Sequence, residues 1–179
     1  SSDYGYLNLT FNKPPGKTSL TFEGLETVND IAPVKLTEKD TVHLWFDQEG
    51  GESWQLLVQK DSLLNDTISI KARSRENFLS KGVLSFRIQN STKPGKINPS
   101  LPVKLAFSQP LADFDTSRIR ITADTTYEII RPQFTIDSLD QRKLTISYPW
   151  KETIPYVLDI SPGGVTDMSG LQNTDTINT

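Results

Sequence analysis

Period-two alternation of apolar and polar residues runs through almost the whole chain, and it restricts the fold more than any other feature. Leu7, Leu9 and Phe11 alternate with Tyr6, Asn8 and Thr10, and Val42, Leu44 and Phe46 with Thr41, His43 and Trp45. Trp54, Leu56 and Val58 alternate with Gln55, Leu57 and Gln59, and Ile68, Ile70 and Ala72 continue the rule. In the second half the same pattern marks Leu84–Ile88, Val103–Phe107, Ile119–Ile121, Leu144–Trp150 and Tyr156–Ile160. Successive side chains of a strand point to opposite faces, so each run predicts a strand with one buried row and one wet row. Many short strands of this kind, separated by turns, predict an antiparallel sandwich or barrel. Helical spacing is confined to Ser74–Ser80, where one turn is expected.

The punctuation agrees with an all-β chain. Pro14-Pro15-Gly16, Glu49-Gly50-Gly51, Lys93-Pro94-Gly95 and Pro162-Gly163-Gly164 combine residues that fix φ with residues that free it, and Asp137–Arg142 reads as a hairpin turn. Parity within the strands assigns Trp54 and Trp150 to the core. It assigns Trp45 to the wet row beside Thr41 and His43.

An internal repeat sets the expected domain count. Leu9–Pro14 (LTFNKP) and Leu105–Pro110 (LAFSQP) are each a strand ending in a polar residue and a proline, which stops ladder pairing. In both halves an aromatic-led strand follows, Trp54–Gln59 and Tyr156–Ile160, then an acidic turn and an Asp-Thr-Ile phrase at Asp66–Ile68 and Asp175–Ile177. Similar phrases in the same order point to duplication. A chain of 179 residues has room for two such units. The expected division is 1–76 and 77–179, in the polar stretch Arg73–Asn77. The second repeat stops as its last strand starts, so a continuation past Thr179 is expected.

Composition narrows the function classes. The formal net charge is −3 and no Lys/Arg run exceeds a dipeptide, which argues against nucleic acid as a partner. There is no Cys, which excludes disulfides and thiolate chemistry. No apolar run approaches the roughly 20 residues of a membrane-spanning helix. The opening Ser1-Ser2-Asp3 points to a processed product or a fragment, with any targeting segment or lipid anchor outside these residues.

The phrases Leu105–Leu111, Asp115–Ile119, Leu144–Ile146, Tyr156–Ile160 and Asp167–Gly170 resemble the bacterial Ig-like domain of S-layer-protein type. The strand Asp40–Phe46, followed by an Asp-Thr-Ile strand, is similar to multi-domain Ig-like surface lipoproteins of Bacteroidota. The resemblance covers most of residues 84–179 and, more loosely, 4–72. It implies two tandem immunoglobulin-like β-sandwich domains in an exported protein of the Gram-negative cell surface or outer membrane. The lipid-bearing Cys of such lipoproteins is absent, so membrane attachment would run through an anchor outside the chain.

Chemistry is sparse. His43 is the one histidine, and a catalytic base needs an orienting partner and a nucleophile that no motif here supplies. Asp113-Phe-Asp115-Thr-Ser117 begins like a calcium loop, but Arg118 stands where that loop needs Gly and Asp124 where it needs Glu. The turn Asp167–Gly170 could offer oxygens to Ca²⁺, but a glycine-terminated turn is the simpler account. Glu128, Asp137, Asp140 and Asp159 could be nominated as paired carboxylates, yet Asp137 and Asp140 suit a hairpin turn better. No enzyme, no metal and no cofactor is expected.

The binding candidates are aromatic: Trp45 with His43, and the loop residues Phe114 and Tyr127. A last pattern, Asp-(Ser/Thr) followed by an aliphatic residue or Thr, recurs more often than composition would give. It resembles the O-glycosylation signal of exported Bacteroidota proteins, with Thr41, Ser62, Thr67, Thr125, Ser138 and Thr176 as acceptors. The competing reading is Asp capping a turn before a β-prone pair. The expected function is a non-catalytic spacer and protein-docking module of a cell-surface protein, such as an accessory subunit of an outer-membrane assembly or secretion machine. Its expected partners are further domains of a longer chain and outer-membrane proteins. The alternative is an adhesion or glycan-binding module.

Overall fold

A computed structural model describes the chain apart from residues 1–3, 15–19, 24–27, 29, 49–52, 61–63, 72, 90, 94–95 and 124–127. Side chains of 20–23, 54, 60, 64–65 and 91–93 also lie outside the description. The described chain is mostly β-strand with one short helix. It divides into two compact units, Ser1–Gly82 and Val83–Thr179.

The first unit contains β1 (Tyr6–Thr10), β2 (Leu20–Glu23), β3 (Val34–Glu38), β4 (Thr41–Trp45), β5 (Trp54–Lys60), β6 (Leu64–Ile70) and the helix α1 (Arg75–Lys81). The strands form two antiparallel sheets, ordered β1-β4-β3 and β2-β5-β6. Val42, Leu44 and Phe46 of the first sheet pack on Leu56 and Val58 of the second, with Leu7, Leu9, Phe11, Ile68 and Ile70 at the margins. These are the alternate residues the sequence marks as apolar rows. The two sheets therefore face each other as in a sandwich.

Gly5 fixes where β1 begins. Its φ is +58°, its carbonyl accepts the Phe46 N–H at 2.9 Å, and a Cβ there would lie 1.9 Å from the Phe46 carbonyl oxygen. Only a residue without a side chain fits that approach.

Helix α1 exceeds the single turn expected, with seven residues. Ser74 caps it by accepting the Asn77 N–H at 3.2 Å, and Phe78 stacks on Tyr4 at 4.8 Å. That packing holds the helix with the first unit, which runs to Gly82, six residues beyond the division expected after residue 76.

The second unit contains β7 (Phe86–Ile88), β8 (Ser91–Lys93), β9 (Lys96–Ile97), β10 (Val103–Phe107), β11 (Leu111–Phe114), β12 (Ile119–Ala123), β13 (Glu128–Ile130), β14 (Gln133–Ile136), β15 (Lys143–Ser147), β16 (Tyr156–Ile160), β17 (Val165–Asp167) and β18 (Ile177–Asn178). Two four-stranded sheets, β14-β15-β10-β7 and β13-β12-β16-β18, carry most of it, with the pairs β11-β17 and β8-β9 beside them. Leu105, Leu144, Ile146, Ile121 and Ile160 are fully buried or nearly so. Trp150 is buried at 8% exposure, as its parity predicts, although β15 ends before it.

Among the described residues no helix is long and apolar enough to cross a membrane.

Candidate functional site

On the face of β4 turned away from the core, Tyr6, His43 and Trp45 form an aromatic row. Tyr6 and Val34 are the cross-strand neighbours of Trp45 on either side, and Asn8 and Leu36 are those of His43. Ring centroids lie 5.2 Å apart for Tyr6–Trp45, 5.7 Å for His43–Trp45 and 6.0 Å for Tyr6–His43. The Tyr6 hydroxyl and His43 Nδ1 share a hydrogen bond of 2.7 Å, while His43 Nε2 lies 3.9 Å from a Glu38 carboxylate oxygen.

Trp45 does share a face with Thr41 and His43, but it is not wet. It is 3% exposed, with the rings of Tyr6 and His43 packed beside it. The expectation of an outward, ligand-ready Trp45 is therefore corrected. His43, half-buried, is occupied by a phenol and a carboxylate.

Tyr4 ties β4 to the helix. Its hydroxyl donates to the buried carboxylate of Asp47 and lies 3.2 Å from both the carbonyl oxygen and the amide of Gln48. Asp47 Oδ2 also lies 3.6 Å from Arg75 Nε on α1, and Gln48 Oε1 accepts the Arg73 N–H at 2.7 Å. Burial raises the Tyr4 phenol above its ordinary value, and donation to Asp47 raises it further. Polar residues at 4, 47, 48 and 73 with no motif between them give no local signal of this junction, which depends on long-range pairing.

In the second unit, polar side chains fasten turns. Asp137 accepts the amides of Asp140 and Leu139 at 3.0 and 2.8 Å, which holds its carboxyl below the usual range. Burial disfavours the Asp140 carboxylate, but hydrogen bonds from Arg142 and Lys143 outweigh that and hold it at about 2. The bonds are 2.8 Å to Arg142 Nε, 3.1 Å to Arg142 Nη2 and 3.0 Å to Lys143 Nζ.

Asp115 accepts the hydroxyl and amide of Ser117 at 2.6 and 2.9 Å, which lowers its carboxyl, and it pairs with Arg118 at 3.3 Å. These bonds cap the 3-10 turn Thr116–Arg118. Asp167 accepts the amides of Ser169 and Leu171, each at 2.8 Å. Asn173, buried, donates to the carbonyls of Ser161 and Asp175 at 2.9 Å and accepts the Val165 amide at 3.1 Å. The acidic turns are thus structural fasteners here, as the simpler sequence readings have them.

Phe114 is half-buried, 5.9 Å from Phe134, and lines an open cleft of about 610 Å³ with Asp113, Arg118, Gln172 and Thr174. It belongs to the second unit, and Trp45 and His43 to the first. Tyr127, Ser62 and Thr125 lie outside the described residues.

Of the remaining acceptor candidates, Thr67, Ser138 and Thr176 are exposed. Thr41 is half-buried, and its hydroxyl donates to Asp40 at 3.2 Å. The turn-capping explanation fits Asp137, but it does not fit Asp66, which lies inside β6 opposite Val58.

No protein-family model matches the chain, and no curated protein is significantly similar to it.

Proposed function

We propose that the chain is a non-catalytic scaffold of an exported protein: two immunoglobulin-like sandwiches that hold other parts apart and present surfaces to protein partners. The observation that carries this reading is how the acidic residues are used. Asp115, Asp137, Asp140 and Asp167 each bind backbone amides or cations of their own turn. Carboxylates engaged in this way rigidify loops. These four residues all lie in the second unit, and a unit with stiff loops suits a spacer and docking surface.

In this reading the module works at the Gram-negative cell surface, as an accessory of an outer-membrane assembly or secretion machine; the resemblance of its strand-and-turn phrases to surface lipoproteins supports it. Exposed Thr67, Ser138 and Thr176 suit O-glycosylation of an exported chain. A glycan-binding role is the weaker reading, since Trp45 has no free face to stack on a sugar.

Cross-linking on intact cells of the source organism, with an amine reagent that does not cross membranes, tests the proposal. The expected result is reproducible adducts to exported or outer-membrane proteins. Labelling only after lysis would overturn it. Intact-mass measurement of native material tests the modification: hexose-type increments lost in Thr67→Ala and Thr176→Ala are expected, and a bare polypeptide mass would refute it.

A further inference from the structure

The sheet β14-β15-β10-β7 turns its apolar row inward, and cross-strand pairing fixes what it turns outward. Thr135, Thr145 and Lys104 lie side by side across three strands, and Lys143, Ala106 and Arg87 form the next row. Gln133 and Ser147 make the last outward pair at one end. Arg87, Gln133, Thr135 and Ser147 are exposed, and Lys104, Lys143 and Thr145 half-buried. None of these side chains is a large apolar one.

A hollow borders this face at each end. One, of about 290 Å³, is lined by Arg87, Arg142, Ser85 and Ser108. The other, of about 570 Å³, is lined by Arg131, Gln133, Ser147 and Tyr148. Strand geometry puts Lys143 and Ser147 about 13 Å apart. Face and hollows together make a track long enough for several linked sugar rings.

The track is mostly cationic. Asp140 takes up Arg142 and Lys143, and Asp137 is bound by the amides of Leu139 and Asp140. Lys104 and Lys143 help to lower the Asp137 carboxyl, but among the described residues Arg87, Lys104 and Arg131 make no ion pair. The opposite sheet differs: its outer face sets Arg120 across from Asp159 and carries Val157 and Ile129.

We propose that this track binds a linear acidic polysaccharide. Its carboxylate or sulfate groups meet Arg87, Lys104 and Arg131, and its hydroxyls meet Gln133, Thr135, Thr145 and Ser147. Cations without an internal partner call for an anionic ligand. A protein partner calls for the apolar and aromatic anchors of an interface core, and the face between the hollows has none. Nucleic acid calls for a denser row of cations. Hydroxyls and amides between spaced cations match a hydrated, sparsely charged chain. The site lies wholly in the second unit, so buried Trp45 has no bearing on it, and it stands whether or not the module is also a spacer.

Isothermal titration of the whole protein at low ionic strength tests this, with hexagalacturonate and a chondroitin sulfate hexasaccharide as probes. Saturable binding of at least one is expected. Each of Arg87→Gln, Lys104→Gln and Arg131→Gln should weaken it about twofold to fivefold, and the three together about tenfold or more. Arg120→Gln makes the same charge change on the opposite sheet and is expected to leave binding unchanged. In amide spectra the sugar is expected to shift Thr135 and Thr145 and not Arg120 or Val157. No binding of either sugar, or an equal loss in Arg120→Gln, would overturn the proposal. So would equally tight binding of uncharged maltohexaose, of hexaglutamate, which would assign the face to an acidic peptide, or of phosphatidylglycerol vesicles, which would assign it to a membrane.

Discussion

Replacing Gly5 by alanine should be among the most damaging single changes this protein can suffer. Three costs coincide at this position. The residue sits at φ +58°, where an L side chain costs about 1–2 kcal/mol. The new methyl would lie 1.9 Å from the Phe46 carbonyl oxygen, a backbone atom that cannot rotate away. The backbone would have to move by more than about 1 Å, which breaks the Phe46 N–H bond to Gly5, worth about 1 kcal/mol. That movement also disturbs Phe46, 2% exposed in the core, and buried Tyr4 beside it.

A total loss of about 3–5 kcal/mol follows. Gly163→Ala is the control. Its φ of +73° carries the same conformational cost, but the nearest atoms to its Cβ are the side-chain ends Gln172 Oε1 at 3.4 Å and Arg118 Nη1 at 3.6 Å. It should lose only about 1 kcal/mol. Urea unfolding followed by far-UV circular dichroism and tryptophan fluorescence would compare the two. A Gly5→Ala protein within about 1 kcal/mol of the parent would refute the packing argument, as would a Gly163→Ala protein equally damaged.

Asp140 has its folded pKa lowered to about 2, so it contributes stability above the ordinary carboxylate range that is lost as pH falls through about 2. Allowing for solvent screening, that contribution is about 1–2 kcal/mol, and acid titration of unfolding should show it flattened in Asp140→Asn. Asn173→Ala removes two donated bonds and strands the Val165 amide, so a loss of about 2–3 kcal/mol is expected in the same urea assay. Tyr4→Phe leaves the Asp47 carboxylate short of a donor and should cost about 1–3 kcal/mol, with hydrogen exchange in α1 accelerated more than elsewhere. Absorbance titration of the parent protein should include a component ionising above the ordinary phenol range that is absent from Tyr4→Phe.

Alternation found most of the longer strands from their apolar rows, but not the five-residue β3, whose Val34 and Leu36 are only half-buried. β1, β4, β5, β10 and β16 all fall on runs identified from period two. Strands of two to four residues, such as β14, β17 and β18, are too short for a period to show. They form because neighbouring strands offer them a ladder edge. Trp45 marks the limit of parity: it tells which face a residue takes, but the Tyr6 ring that packs there comes from a strand far away in the chain. The turn fasteners Asp137 and Asp167 were legible, since an Asx turn is local. Asn173 was not, because it binds the loop at Ser161 and the start of β17 at Val165, which only the finished fold brings to it.

Stiffness of the turns is what the scaffold account depends on, and residue-resolved amide exchange measures it. Leu139, Asp140, Ser169 and Leu171 donate their N–H groups to aspartate oxygens, so they should exchange far more slowly than exposed loop amides, and Leu139 should lose that protection in Asp137→Ala. Exchange of all four at unprotected rates in the parent protein would contradict the account.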